Sequence, residues 1–152
     1  MKLVLLCVGK LRGAPARALC EDYAARLARY GPFELREVKP AKAAEPSRAA
    51  AEEGARLREA LLPGDTVWIL DERGAQCTSV ELARKLSQLE NRACRRLVVV
   101  LGGAYGLDPE TKRAGSLLGL SKLTFNHELC RAIALEQLYR ARTIQRGEPY
   151  HH

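Results

Sequence analysis

The feature that most constrains the fold of this chain is a set of three short apolar runs, each long enough for one strand. They span Lys2 to Val8, Thr66 to Leu70 and Arg96 to Leu101. Because successive side chains of a strand point to opposite faces, an uninterrupted apolar run predicts a strand that is buried on both faces. Such strands are typical of parallel sheets covered by helices on either side.

Segments with helical patterns lie between these strands. Ala14 to Tyr30 repeats apolar residues four apart, and Ser47 to Leu62 is rich in Ala, Glu and Arg. Thr78 and Glu81 form a capping box that opens a third helix through about Asn91. The alternation predicts one α/β domain over residues 1–152, built on an open, mostly parallel sheet with helices on both faces.

The remaining segments are less regular. Phe33 to Val38 predicts a half-exposed strand, whereas Asp71 to Gln76, which contains Gly74, predicts a turn. Leu117 to Phe125 is a short apolar stretch broken by Gly119 and Ser121, and its part from Leu120 is too short and irregular for an ordinary strand or helix. A last helix is expected from Glu128 to about Thr143, followed by a polar tail. Three apolar residues are expected on one face of that helix: Leu129, Ile133 and Leu138.

Charge and cysteine usage limit the function classes. The net charge of +7 favours an anionic partner such as nucleic acid or an acidic membrane surface, and it suits an ordinary basic protein equally well. The five cysteines form no C-x-x-C pair, which argues against zinc or redox sites and predicts reduced thiols in the cytoplasm. No apolar run approaches the roughly 18 residues of a membrane span, so a soluble protein is expected.

Ligands of open α/β sheets bind outside the carboxyl ends of the strands, which points to Leu70-Asp71, to the Gly102-Gly103 loop and to the segment after Leu120. Gly102, Gly103 and Gly106 follow a buried strand and would let a ligand approach the backbone closely, although a tight turn alone explains them equally well. Their order fits neither a dinucleotide fingerprint nor a P-loop. Leu120 to Phe125 could hold an adenine by main-chain hydrogen bonds, and an ordinary connector is the simpler interpretation.

The C-terminal end is basic and carries all three histidines, His127, His151 and His152. Tyr150 and the histidines could stack on bases while arginines contact phosphates. Alternatively, Arg140 is part of a solvated helix face and the terminal histidine pair is a tag remnant. The histidine spacing suits no usual metal site, and no metal is expected.

Taken in order, these motifs resemble a known family. The segments VLGGAYGL, LGLSKLTFNHELCRAIALEQLYRA and EPYHH, together with MKLVLLCVGK and VWILDERG, are similar to the ribosomal RNA large-subunit methyltransferase H family. That family is the small, single-domain branch of the SPOUT methyltransferases. The resemblance covers nearly the whole chain, and the combination of motifs is specific although each motif alone is not.

The resemblance implies a fold, a cofactor and a reaction. It implies a C-terminal trefoil knot, a rare exception among protein folds, that holds S-adenosylmethionine. It further implies a homodimer with sites across the interface, and methylation of N-3 of a pseudouridine in 23S-type rRNA on assembled ribosomes. The residues matched to the family's cofactor positions are Leu70, Gly102, Leu120, Ser121, Lys122, Leu123, Thr124 and Phe125.

The same resemblance assigns functional roles to Arg140, Tyr150 and His151. We expect His151 to take the proton from the acceptor nitrogen, and Arg140 to position the RNA or stabilise the anionic base. His152 departs from the family, which usually ends in a basic residue that contacts phosphate. Two other functions remain open from the residues alone, a knotted RNA-binding factor without catalysis and a flavodoxin-like domain that binds flavin or NAD.

Overall fold

The computed structural model describes residues 1–152 and alternates strands with helices throughout. The elements in chain order are β1 (Lys2–Val8), α1 (Ala14–Ala28), β2 (Phe33–Val38), α2 (Pro46–Glu59), β3 (Thr66–Gln76), α3 (Ser79–Asn91), β4 (Arg96–Leu101), α4 (Pro109–Lys112), β5 (Ser116–Gly119) and α5 (His127–Gln145). None of the helices is both long and apolar enough to cross a lipid bilayer.

All five strands are parallel and form one sheet in the order β2-β1-β4-β3-β5. The apolar strands β1, β4 and β3 lie inside the sheet, and the half-exposed strand β2 lies at one edge. This arrangement confirms the open, parallel α/β sheet predicted from the sequence. Its cause is the apolar composition of the central strands, which are stable only when both faces are covered.

Two apolar cores lie on the two faces of the sheet. Leu3, Leu5 and Cys7 belong to the core covered by α1, α3 and α5. The alternate residues Val4 and Leu6 belong to the second core, which α2 covers together with the short helix α4. The period-2 alternation of strand side chains thus divides β1 between the two layers. The prediction of helices on both faces is confirmed.

The turn predicted for Asp71 to Gln76 is wrong, because β3 continues through Gln76. The pairing of β3 with β5 shifts register between Leu70 and Ala75, so both of these residues face Leu118. A Cβ atom on Gly74 would lie 2.5 Å from the backbone of Leu118. This glycine therefore permits the close approach of two strands, which a single sequence does not distinguish from a turn.

Near the C-terminus, one expectation agrees with the structure and one needs correction. Leu120 to Phe125 lies outside every helix and strand, as expected, and follows directly after β5. Leu129 was expected on the same face as Leu138, but it is 47% exposed whereas Leu138 is buried. The buried face of α5, which packs against α1 and α3, includes three small residues, Ala132, Ala134 and Ala141. The spacing of the large apolar side chains alone therefore indicated the wrong face.

A buried arginine fastens α5 to the end of β1. The Arg131 side chain donates hydrogen bonds to the carbonyl oxygens of Val8, at 3.1 Å, and Gly9, at 2.8 Å. It also pairs with Glu37 at 2.5 Å, and the residue is only 1% exposed. Since Val8 and Gly9 end β1, this contact fixes the start of α5 at the carboxyl edge of the sheet.

Replacing Arg131 with Met is expected to lower the free energy of unfolding by about 3–5 kcal/mol. The substitution leaves two buried carbonyl groups and the Glu37 carboxylate without their partner. Urea denaturation followed by circular dichroism measures the effect. The control is Arg84→Met on the exposed face of α3, with an expected change within roughly 0.5 kcal/mol. An equally small change for Arg131→Met would contradict the structural role.

Candidate functional site

A cavity of about 490 Å³ opens at the carboxyl edge of the sheet. Its walls come from the end of β3, the glycine-rich loop after β4, and the segment that joins β5 to α5. Helix α5 contributes His127 and Cys130 from its first turn. This is the position where open parallel sheets bind ligands, since the loops from neighbouring strands converge there.

The cavity brings together most of the residues expected to contact a cofactor. Seven of the eight line it: Leu70, Gly102, Leu120, Ser121, Leu123, Thr124 and Phe125. Lys122 does not line the cavity, and its side chain is exposed. The structure thus places three segments that are distant in sequence around one space, and their role in binding a cofactor stays a prediction.

The loop Gly102 to Gly106 is a tight turn that needs its glycines. The Gly106 N–H donates to the Gly103 carbonyl at 3.0 Å, and Gly106 has a φ of +75°. A Cβ atom on Gly102 would lie 2.8 Å from the carbonyl carbon and oxygen of Gly106. The backbone is therefore folded closely on itself at the wall of the cavity, where a side chain would force it apart.

The segment after β5 leaves backbone donors available. The N–H groups of Ser121, Thr124 and Phe125 donate to no acceptor within the protein, whereas the N–H of Leu123 donates to Ser121 Oγ at 3.0 Å. The Thr124 hydroxyl donates to Glu72 at 2.7 Å and so ties the segment to the end of β3. Free amides in an ordered segment beside a cavity can hydrogen-bond a heterocyclic ligand.

The cavity contains Asp71, which was expected there from its position after a strand, and two residues that were not expected there, Lys112 and Cys130. Lys112 pairs with Asp71 at 2.6 Å, across from the glycine loop. Burial opposes ionisation of Asp71, but hydrogen bonds from Lys112 and from the backbone of Arg73 outweigh it and lower its pKa. Burial raises the pKa of the Cys130 thiol, which keeps it neutral and unsuited to nucleophilic attack. The one sequence signal was the position of Asp71, directly after the apolar core of a strand.

The polar tail packs against helices α1 and α5 through Tyr150. The Tyr150 hydroxyl lies 3.1 Å from Glu136 Oε1 and 3.2 Å from the Tyr23 hydroxyl. The Tyr150 ring packs edge-on against Tyr139, with centroids 4.8 Å apart. Burial, with the contacts to Tyr23 and Glu136, raises the pKa of Tyr150, so the phenol is neutral near pH 7.

Arg140 and Tyr150, to which the family resemblance assigns functional roles, are in contact. The Arg140 guanidinium lies over the Tyr150 ring, 4.6 Å from its centroid, and pairs with Glu136 at 2.6 Å. His151 follows directly and is exposed. The three residues therefore share one surface at the end of α5, and their catalytic role stays a prediction.

Within one chain, this tail surface and the cavity lie near opposite ends of α5. His127 lines the cavity, and Arg140 follows it by thirteen residues in the same helix. At 1.5 Å per residue, the two positions are separated by roughly 20 Å along the helix axis. No group of three or more His, Cys, Asp or Glu side chains is arranged to hold a metal ion.

The chain belongs to the SPOUT methyltransferase family, since the family model described as "Predicted SPOUT methyltransferase" matches residues 1–151. Among curated proteins, it is similar to the ribosomal RNA large subunit methyltransferase H of Pelobacter propionicus, with 43% identity over 100% of both chains. The protein of that name from Gloeobacter violaceus is 45% identical, over 100% of this chain and 99% of its own. These matches confirm the resemblance found in the sequence.

Solved structures support the fold. A probable methyltransferase from Bordetella pertussis superposes with a TM-score of 0.58 at 17% identity, covering 92% of this chain and 95% of its own. TrmJ from Z. mobilis superposes with a TM-score of 0.54 at 15% identity, covering 94% of this chain and 70% of its own. The family assigns the chain to the methyltransferases and argues against a flavodoxin-like nucleotide domain.

Substituting Gly102 with Ala is expected to weaken S-adenosylmethionine binding about tenfold or more, through lost main-chain hydrogen bonds in a displaced loop. The added methyl group would meet the backbone of Gly106 and the side chain of Leu107 in the second core. Isothermal titration calorimetry measures the affinity, and circular dichroism checks the fold. Ala114→Ser, at an exposed position outside the cavity, is the control. Normal affinity in a folded Gly102→Ala variant would contradict the assignment of this loop.

Proposed function

We propose that this chain transfers a methyl group from S-adenosylmethionine to N-3 of a pseudouridine in large-subunit ribosomal RNA, acting on assembled ribosomes. The observation that carries the proposal is the cavity at the carboxyl edge of the sheet, where the glycine loop and the free amides after β5 meet. The names of the relatives supply the substrate class. The net charge of +7 suits a polyanionic substrate.

The cavity fits S-adenosylmethionine in size and in chemistry. Its volume of about 490 Å³ lies in the usual range for small-molecule sites. The amides of Ser121, Thr124 and Phe125 are free to bond an adenine edge, and Leu70 and Leu120 offer apolar walls. When bound, the cofactor supplies a methyl group on a sulfonium centre, which passes to the acceptor nitrogen as the carbon–sulfur bond breaks.

The tail surface supplies the groups that such a reaction needs from the protein. The acceptor imide nitrogen loses a proton, and the exposed side chain of His151 takes it as a general base. Arg140 offers a positive charge that stabilises the anionic base. Tyr150 remains a neutral phenol and positions the tail through Glu136 and Tyr23. Alignment of donor and acceptor accounts for the rest of the rate.

The distance between the cavity and the tail surface supports a homodimer. About 20 Å along α5 separates the two within one chain, so neither is complete alone. In a symmetric dimer that includes α5, the tail of one subunit can reach the cavity of its partner. Helices α1 and α5 each carry a large exposed apolar residue, Leu19 at 44% and Leu129 at 47%, that such an interface would cover.

We also propose that the C-terminal segment is threaded into a trefoil knot. Strand β5 lies at the edge of the sheet beyond β3. From there the chain lines the cavity and begins α5 near the loop after β1, where Glu128 accepts from the Arg12 N–H at 2.6 Å. This path along the carboxyl edge is the one that a threaded segment would follow, and the likeness to SPOUT structures supports it.

Mass spectrometry of ribosomal RNA from cells with and without the protein tests the proposed reaction. Deletion of the gene is expected to remove one methyl group from a pseudouridine of the large-subunit RNA, and expression of the chain restores it. Purified ribosomes from the deletion strain should accept a methyl group from labelled S-adenosylmethionine when the chain is added. Identical RNA with and without the protein would contradict the proposal and favour a non-catalytic RNA-binding factor.

Removal of His151 and His152 is expected to lower single-turnover methylation by about 100-fold or more, the range of a lost general base, while cofactor affinity stays near wild type. This deletion keeps Tyr150, whose contacts anchor the tail, so the fold is preserved. A control variant with His152→Lys should stay active. Unchanged turnover in the truncated protein would show that His151 is not the general base.

Mixing two inactive variants tests whether the site is shared between subunits. Gly102→Val, whose larger side chain meets the backbone of Gly106, is expected to block the cavity, and the deletion of His151 and His152 disables the tail. In a mixed dimer with shared sites, one site carries both defects and the other carries none. Unfolding and refolding an equal mixture should therefore restore about a quarter of wild-type active sites, because half of the dimers are mixed. An inactive mixture with proven subunit exchange would place each site within one chain.

A further inference from the structure

Glu53 is a buried carboxylate that lies outside the described site and lacks a complete set of partners. The residue is only 7% exposed and lies in the middle of α2. Its Oε1 accepts a hydrogen bond from the Ala41 N–H at 2.9 Å, whereas its buried Oε2 accepts none. No lysine or arginine pairs with it, although ion pairs join other acidic residues of the chain to arginine or lysine.

The unpartnered oxygen lies directly behind the glycine loop. A Cβ atom built on Gly103 would lie 2.6 Å from Glu53 Oε2 and 3.3 Å from its carboxyl carbon. Gly103 also lines the cavity. The main chain of this one residue therefore contacts the carboxylate while forming part of the cavity wall. The contact accounts for a glycine at position 103, since any larger residue would displace either the loop or Glu53.

Packing alone gives no reason for a carboxylate at this position. A buried carboxylate without a cation or a full set of donors is costly, and a buried polar atom without a partner calls for an explanation. The single hydrogen bond from Ala41 could be accepted equally well by the carbonyl of a neutral glutamine. Only an ionised carboxylate, and not a glutamine, would bring a negative charge to this position.

The proposed cofactor and its product differ in the charge on sulfur. S-adenosylmethionine carries a positively charged sulfonium, and transfer of the methyl group leaves S-adenosylhomocysteine with a neutral thioether. A fixed negative charge behind the cavity wall attracts the first more than the second. Such a charge would help the enzyme to release its product and take up new donor.

We propose that Glu53 is a positioning residue whose charge makes the cavity select the cationic donor over its neutral product. This inference rests on the proposed function, because it takes S-adenosylmethionine as the ligand of the cavity. Glu53 does not touch the reacting atoms, and its effect on the ligand passes across the main chain of Gly103.

The test is the ratio of the affinities for S-adenosylmethionine and S-adenosylhomocysteine, measured by isothermal titration calorimetry. Glu53→Gln keeps an acceptor for Ala41 and removes the charge. It is expected to weaken S-adenosylmethionine binding about tenfold while changing S-adenosylhomocysteine binding less than about twofold. Glu59→Gln removes a charge from an exposed position of the same helix and should leave both affinities unchanged.

Two further measurements keep the test independent of any loss of stability. Glu53→Asp keeps the charge, so the affinity ratio should stay within about twofold of wild type even where both affinities fall. In the wild type, the ratio should persist at high salt, because a buried charge is screened less than surface charges.

Equal weakening of both ligands by Glu53→Gln, or a wild-type ratio that disappears at high salt, would overturn the inference. Failure of the proposed function itself would look different, since the wild-type chain would then bind neither ligand.

Discussion

The common direction of the five strands is the constraint on which the rest of the structure depends. Because β1, β3 and β4 run the same way, the loops that follow them leave the sheet at one edge. Irregular and glycine-rich segments of the chain lie at this edge, and they form walls of the cavity. The tail surface with Arg140, Tyr150 and His151 lies near the other end of α5, so within one chain the expected site residues are divided between two places.

Helix α5 relates the cavity to the rest of the molecule. Its first turn borders the cavity, Arg131 fastens it to the end of β1, and its last turns support the tail through Glu136 and Arg140. Four of the five tyrosines of the chain gather at this last part, where arginine side chains stack on their rings. The same helix thus contributes to the cavity wall, to the packing of the sheet and to the proposed contact with RNA.

Much of this could be predicted from the sequence because it depends on local patterns. Apolar runs such as Arg96 to Leu101 indicate buried strands, and the loop after that strand is recognisable from its glycines. Features that depend on contacts between distant segments were not accessible. Gly74 accommodates the backbone of Leu118, and Tyr150 contacts Tyr23. In both pairs, the residues around one partner give no indication of the other. Glu53 looked like one of many charges on an ordinary helix until its burial was known.

The contact of Tyr150 with Tyr23 of α1 makes the length of α5 a constraint in its own right. The start of α5 is attached to the end of β1, and its far end is attached through the tail to α1. One residue inserted between these attachments would turn everything beyond it by about 100° and advance it by 1.5 Å, which would carry the tail away from Tyr23. Related chains should therefore vary freely in the identity of the exposed residues of α5 while keeping their number unchanged.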